Sequence, residues 1–158
     1  MTSFKTQSFD FFKFNPDIIK HHEFLQKLLN DEHIQAYLKD IETFILEEDT
    51  NNIYDNAYLV GLNDNIVGYL ALFNYSKIIE FHYAVEPSFR GIRNNSNETI
   101  GCRIVKEASS YLFTINKKID LIRLFIDEEN IESIKMAKRA GFTLTDTCGY
   151  YQEYIKHR

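Results

Sequence analysis

Apolar and polar positions along the chain change period several times, and each change marks an element. Ser8-Phe9-Asp10-Phe11-Phe12-Lys13-Phe14 alternates imperfectly and reads as a first strand. Asn15-Pro16-Asp17 signals a helix start, and residues 17–30 carry Ile18, Ile19, Leu25, Leu28 and Leu29 as an apolar set. A second helix is expected over 32–48, with Ile34, Leu38, Ile41 and Ile45 on one stripe. Its outer face is acidic, because seven carboxylates and one lysine lie from Asp31 to Asp49. Residues 49–52 read as a loop. Residues 57–62 and 66–73 then pair across Asn63-Asp64-Asn65, where Asn and Asp tolerate the left-handed turn conformation. Residues 78–85 form a third strand of this group. A helix follows from about 99 to 115, with Ile100, Ile104, Ala108, Leu112 and Ile115 toward the sheet. A buried strand at 121–126, a helix at 129–139 and a pair of strands within 142–155 around Gly149 complete the chain. The order β-α-α-β-β-β-α-β-α-β-β predicts an α/β sandwich with a mixed sheet.

Composition narrows the function classes. A chain of 158 residues fits a single domain over 1–158, and 44% hydrophobic with 15% aromatic residues excludes disorder as the main state. No apolar run approaches the ~20 residues that span a bilayer, and Met1-Thr2-Ser3-Phe4-Lys5 lacks a signal-peptide core, so a soluble cytoplasmic protein away from membranes is expected. Two cysteines, Cys102 and Cys148, are too few for a disulfide framework or a thiolate metal site. His21, His22, His33 and His157 have no ligand partner at helical spacing, so no metal is expected. A formal charge of −5 argues against nucleic acid as a partner. An acidic surface suits a cationic substrate, although it is also ordinary for a cytosolic enzyme.

Four short segments carry chemistry. They are Val85-Glu86-Pro87-Ser88-Phe89-Arg90-Gly91, Thr99-Ile100-Gly101-Cys102-Arg103-Ile104-Val105, Asn130-Ile131-Glu132-Ser133 and Ala140-Gly141-Phe142. A strand, a polar loop and then an amphipathic helix aim backbone N–H groups at an anion, most often a phosphate. An Asn-rich surface loop that merely caps a helix has the same pattern. Together the segments resemble the GCN5-related N-acetyltransferase (GNAT) family, whose motifs read V-x-P-x-x-R/Q-G-x-G-x-G/A and N-x-x-S/A before a helix ending G-F. The resemblance spans residues 57 to 142. It implies a single-domain GNAT-like sandwich with a mixed six- to seven-stranded sheet and about four helices. It also implies acetyl-coenzyme A as co-substrate, no metal, and transfer of the acetyl group to a primary amine.

The loop is six residues longer than the family motif, within 92–97, and Thr99 stands where a glycine is usual. Asn94, Asn95 and Asn97 are the non-glycine candidates for positive φ there. The resemblance gives the N–H groups from about Ser96 to Cys102, those of Asn97, Thr99, Ile100 and Gly101 among them, to the pyrophosphate. Arg90, Arg93 and Arg103 become candidate phosphate partners, and the backbone of Tyr83, Ala84 and Val85 would receive the pantetheine arm. Asn130 reads both as an N-cap and as a contact to pantetheine or acceptor.

Acetyl transfer needs a neutral amine, a held carbonyl oxygen and a proton for the leaving thiolate. The resemblance assigns the Val85 N–H to the oxygen. The family's usual acidic tyrosine falls at Ala137, as it does in relatives resembling ribosomal-protein N-terminal acetyltransferases, the subgroup nearest in pattern. Glu80 and His82 share one strand face and are candidate bases, or simply the polar face of a half-exposed strand. Tyr150 and Tyr151 are alternative acids, or core tyrosines. Cys102 is either a reactive thiol at a helix start or a small packing residue. The expected acceptor is a small cationic amine or a protein N-terminus, and a homodimer is compatible with the sequence. The alternative is a catalytically weak acyl-coenzyme A-binding regulatory module of the same fold, whereas aminoacyl-tRNA is disfavoured by the charge balance.

Overall fold

In the computed structural model, which describes residues 3–37 and 57–158, the alternating segments assemble into one eight-stranded sheet. The strands are β1 (Phe4–Lys5), β2 (Asp10–Lys13), β3 (Ala57–Leu62), β4 (Asn65–Tyr75), β5 (Ile78–Val85), β6 (Leu121–Asp127), β7 (Thr143–Cys148) and β8 (Tyr151–His157). In space they run β1-β2-β3-β4-β5-β6-β8-β7, and only β5 and β6 pair in parallel. Four α-helices accompany them among the described residues: α1 (Ile19–Leu29), α2 (Glu32–Tyr37), α3 (Ile100–Ile115) and α4 (Ile131–Arg139). The mixed α/β sandwich is therefore present, with one strand more than the upper expectation.

The extra strand is β1. Two residues give no alternation to read, yet Phe4 is buried and stacks on Phe11 at 4.3 Å and on Tyr111 at 4.4 Å. The turn between β1 and β2 is tied down by Glu107 of α3, which accepts from the Thr6 hydroxyl at 2.7 Å and the Ser8 N–H at 2.9 Å.

Each sheet face buries its own apolar set. Against α3 and α4 lie Phe11, Tyr58, Val60, Leu70, Phe81, Ile122 and Leu124, which meet Ile104, Ala108 and Leu112 of α3 and Met136 and Ala137 of α4. Full burial of each aliphatic side chain contributes about 1.5–3 kcal/mol. The opposite face joins Leu59, Tyr69, Ala71 and Ala84 to Phe24, Leu25 and Leu28 of α1 and Ile34 of α2.

Some expected positions move. Ile115 is half exposed, as the last residue of α3. Ile18 and Ile19 are exposed: α1 begins at Ile19, and its buried side is Phe24, Leu25 and Leu28. The helix expected over 32–48 is seen as α2 through Tyr37, and Leu38, Ile41, Ile45 and the later acidic residues lie outside the described residues. The hairpin turn is as expected, with Asn63 at φ 48° and Asp64 at φ 63°.

The sheet divides at its centre. Parallel pairing of β5 with β6 covers only Ile78, Ile79 and Glu80 against Leu121, Ile122 and Arg123. Beyond that, β5 stays with β4 to its last residue while β6 stays with β8 to Asp127. The two halves separate like an opening V.

Candidate active site

The V opens into a cavity of about 560 Å³, lined by the ends of β5 and β6 and the starts of α3 and α4. Strand geometry fixes which backbone groups face it. The Glu86 N–H bonds to the Val67 carbonyl at 3.0 Å, so Val85, one residue earlier, directs its N–H to the other side. By the same alternation the backbone edge of Tyr83 and Val85 faces the open V with no strand beside it, although the Val85 carbonyl accepts from Arg90 Nε at 3.0 Å. Tyr83, Ala84 and Val85 all line the cavity.

At one end of the cavity stands the N-terminus of α3. Thr99 is its N-cap, and its hydroxyl accepts from the Cys102 N–H at 3.3 Å, a cap that contributes about 1 kcal/mol. This explains a threonine in a usual glycine position. The first N–H groups of a helix have no intrahelical partner; the antiparallel bridge of Arg93 with Thr99 turns the Ile100 N–H toward the loop, and Gly101 follows it in the first turn beside the cavity. The Gly101 backbone lies close to β5, where an added Cβ would come within 3.2 Å of Val85 Cγ2. Thr99, Ile100, Gly101, Arg93 and Asn130 line the cavity with Lys135 and Arg139 of α4.

The inserted loop is narrower in its reach than the sequence suggests. It closes on itself: Asn94 Oδ1 accepts from the N–H groups of Ser96 at 3.0 Å and Glu98 at 2.9 Å, and the Asn97 N–H bonds to the Asn94 carbonyl at 2.9 Å. Asn97 alone of the three asparagines has positive φ, at 61°. Ser96 and Asn97 do not line the cavity, and with the Cys102 N–H capped, the open anion cradle reduces to the first turn of α3. Arg103 lies over the Phe9 ring at 5.0 Å, outside the cavity. Arg90 lines it, but its guanidinium already holds the Val85 carbonyl at 3.0 Å and pairs with Asp31 at 2.8 Å. Cys102 is fully buried, and burial pushes its thiol up, so the reactive-thiol reading is set aside.

Asn130 is the N-cap of α4, its side-chain oxygen accepting from the Ser133 N–H at 3.1 Å, and it lines the cavity as well. Tyr83 lies against Ser133, and burial raises its hydroxyl to about 12. Ala137 is fully buried in the core, so no acid occupies the position of the family tyrosine.

The other end of the cavity is built from side chains. Glu80, His82 and Ala84 lie on the α1–α2 face, and His82 lines the cavity with His33, Ile34 and Tyr37 of α2 and Phe125 and Asp127 of β6. His82 Nε2 is 2.6 Å from Glu80 Oε1, and its ring meets Phe73 edge-on at 4.9 Å. Glu80 Oε2 accepts from Arg123 Nε at 2.9 Å, with Nη2 at 2.7 Å. Arg123 in turn lies between the rings of Tyr75 and Phe125, at 5.1 and 5.0 Å. Burial acts to raise the Glu80 carboxyl, but the hydrogen bonds and charges of His82 and Arg123 outweigh it and hold the group below its usual range. β5 runs without a register shift, so alternation holds along it. Tyr150 is exposed, and neither it nor Tyr151 lines the cavity. Sequence reasoning missed His33, Tyr37, Arg123 and the α4 cations. The alternation at 121–126 could have flagged Arg123, because it shares a face with Phe125.

Solved structures of similar shape agree with this architecture. An acetyltransferase of the GNAT family from Bacillus anthracis superposes with a TM-score of 0.71 at 17% identity, covering 98% of this chain and 96% of that one. The Campylobacter jejuni N-acetyltransferase PseH in complex with acetyl coenzyme A gives 0.68 at 16% identity, covering 95% and 99%. Spermidine N-acetyltransferase from Vibrio cholerae in complex with CoA and spermine gives 0.64 at 18% identity, covering 89% and 91%. Neither a protein-family model nor a curated protein matches the sequence. The likeness shows the fold: this chain has the GNAT fold. Among the described residues no helix is long and apolar enough to cross a membrane, and no cluster of metal-ligating side chains occurs.

Proposed function

We propose that this protein is an acetyl-coenzyme A-dependent N-acetyltransferase acting on a primary amine. The observation that carries the reading is the split between β5 and β6, which joins an anion cradle at α3 through one cavity to His82, itself paired with the buried Glu80. The fit to the coenzyme rests on complementary groups. The first-turn N–H groups of α3 at Gly101 suit the pyrophosphate, Arg93, Lys135 and Arg139 suit the remaining phosphate charge, and the strand edge at Tyr83 and the Val85 N–H suits an amide-bearing arm. Acetyl-coenzyme A supplies an activated acetyl group on a thioester.

The protein's own backbone and side-chain groups supply the rest. The Val85 N–H is the donor for the carbonyl oxygen as it gains charge. His82, paired through Nε2 with Glu80, is the group placed to take the ammonium proton directly or through one water. Glu80 holds the tautomer and stabilises the imidazolium, as Arg123 stabilises Glu80. As the tetrahedral intermediate collapses its nitrogen releases a second proton to solvent, and the leaving thiolate takes one from solvent or from the imidazolium, since Ala137 offers none. The acceptor end is walled by α2, which favours a small amine over a protein N-terminus. The similar Vibrio cholerae protein carries spermine, a cationic amine, and that supports the same class.

The buried Ala137 leaves one rival in place, a module that binds acyl-coenzyme A without turnover. Thermal melting with acetyl-coenzyme A and desulfo-coenzyme A, followed by thiol release across an amine panel, separates the two. Both ligands are expected to raise Tm, and amine is expected to trigger thiol release. A Tm shift without amine-dependent release establishes the binding module instead. No shift at millimolar coenzyme with folded protein removes both readings.

A further inference from the structure

Two ion pairs of opposite polarity join the α1–α2 unit to the turn that follows Val85. Lys27, in the last turn of α1, pairs with the buried Glu86 carboxylate. Glu86 is also fixed from its own side, since its other oxygen accepts from the Ser88 N–H at 2.8 Å and from the Ser88 hydroxyl. In the reverse sense, Arg90 at the end of that turn pairs with Asp31 at 2.8 Å. Asp31 is the residue before α2, and the same carboxylate oxygen caps that helix by accepting the Ile34 N–H at 3.0 Å. The Arg90 side chain also donates Nε–H to the Val85 carbonyl at 3.0 Å. One guanidinium therefore spans the strand end that bears the proposed oxyanion donor and the cap of the helix that walls the acceptor end.

We infer that Arg90 is a positioning residue that couples coenzyme occupancy to the acceptor wall, rather than a phosphate ligand. The inference rests on the acetyltransferase reading above. Coenzyme lying along Tyr83–Val85 orders the β5 end, and Arg90 transmits that order to Asp31 and so to His33, Ile34 and Tyr37 of α2. Coupling of this kind is reciprocal, so ordering of α2 by an amine also favours coenzyme. Arg is suited to the task because its planar fork reaches two acceptors at once, which a lysine ammonium on a single stem does not reproduce.

The test is hydrogen exchange of residues 31–37 with and without coenzyme A, alongside coenzyme A affinity by calorimetry, in the wild type, Arg90→Gln, Arg90→Lys, Asp31→Asn and the Arg90→Gln/Asp31→Asn double variant. Asparagine caps a helix as well as aspartate does, so Asp31→Asn removes the charge and keeps the cap. Coenzyme A is expected to slow exchange in 31–37 of the wild type by about tenfold, within the usual range of coupling. All four variants are expected to bind coenzyme A within about threefold of wild type and to lose that protection, the double variant no more than either single. Affinity lost in Arg90→Gln but retained in Arg90→Lys and Asp31→Asn makes Arg90 a phosphate ligand and overturns the inference. Protection that persists in the variants, or is absent from a wild type that binds coenzyme A, overturns it as well. Failure of the wild type to bind coenzyme A at all removes the acetyltransferase reading, and the coupling with it.

Discussion

The two ends of the cavity are made differently. The α3 end is a backbone device, in which the first N–H groups of a helix are aimed by the turn and cap that precede them. The His82 end is a side-chain device, drawing on α2, β5 and β6, with Glu80 and Arg123 lying 43 residues apart in the chain. A backbone device is written locally, so a short motif encodes it. A side-chain device exists only after the sheet has formed. The first should set coenzyme affinity and the second the rate of transfer, and substitutions can separate the two.

The largest effect is expected at the side-chain end. His82→Ala should lower kcat by on the order of 10²–10⁴ at neutral pH, with coenzyme affinity unchanged by calorimetry. Tyr150→Phe should leave kcat near wild type, because that ring stands in solvent. Full activity in His82→Ala with loss in Tyr150→Phe would move the chemistry to the terminal hairpin.

Next comes the backbone end. Gly101→Asp should raise coenzyme Kd by about 100-fold, or about 2.8 kcal/mol. The new Cβ presses on Val85, and the carboxylate repels phosphate where the N–H groups converge. An acidic residue in the first turn favours the helix itself, so the fold should survive, as Tm would report. Ile92→Ala, in the exposed loop, should change Kd less than twofold. Equal effects at both positions would place the phosphates in the inserted loop instead.

A smaller effect concerns pH. The folded Glu80 carboxyl titrates below its ordinary 4.5, so its stabilisation is complete above that value and is lost as pH falls through the lower folded value. Glu80→Gln should therefore be less stable than wild type at neutral pH, and the gap should close on acidification in urea melts. A gap that widens toward acid would mean that the ion pair with Arg123 contributes nothing. Smallest of all, Thr99→Val should cost about 1 kcal/mol through loss of the α3 cap, measured by the same melts.

What could be read from the sequence follows this division. The α3 start just after Thr99, the N-cap at Asn130 and the shared face of Glu80 and His82 are all local consequences of spacing, and the structure has each of them. The hidden parts depend on partners distant in sequence. Nothing near Arg90 announces Asp31, nothing near Glu86 announces Lys27, and Arg123 is revealed only once β6 lies beside β5. Ser96 and Asn97 lie away from the cavity for another reason: the Asn94 side chain takes the Ser96 N–H, as Asn side chains commonly do, and the Asn94 backbone carbonyl takes that of Asn97. β1 is too short for any period to show.

The claim that one end binds and the other reacts is met most directly by single-turnover transfer at saturating acetyl-coenzyme A, comparing wild type with Arg139→Ala and His82→Ala. Arg139 lines the cavity on α4 and should serve affinity alone. Its alanine variant should need about tenfold more coenzyme to saturate and then transfer acetyl at the wild-type rate within about twofold. His82→Ala should saturate normally and transfer at least about 100-fold more slowly. Equal losses in both variants under saturation, or a wild-type rate in His82→Ala, would contradict the account.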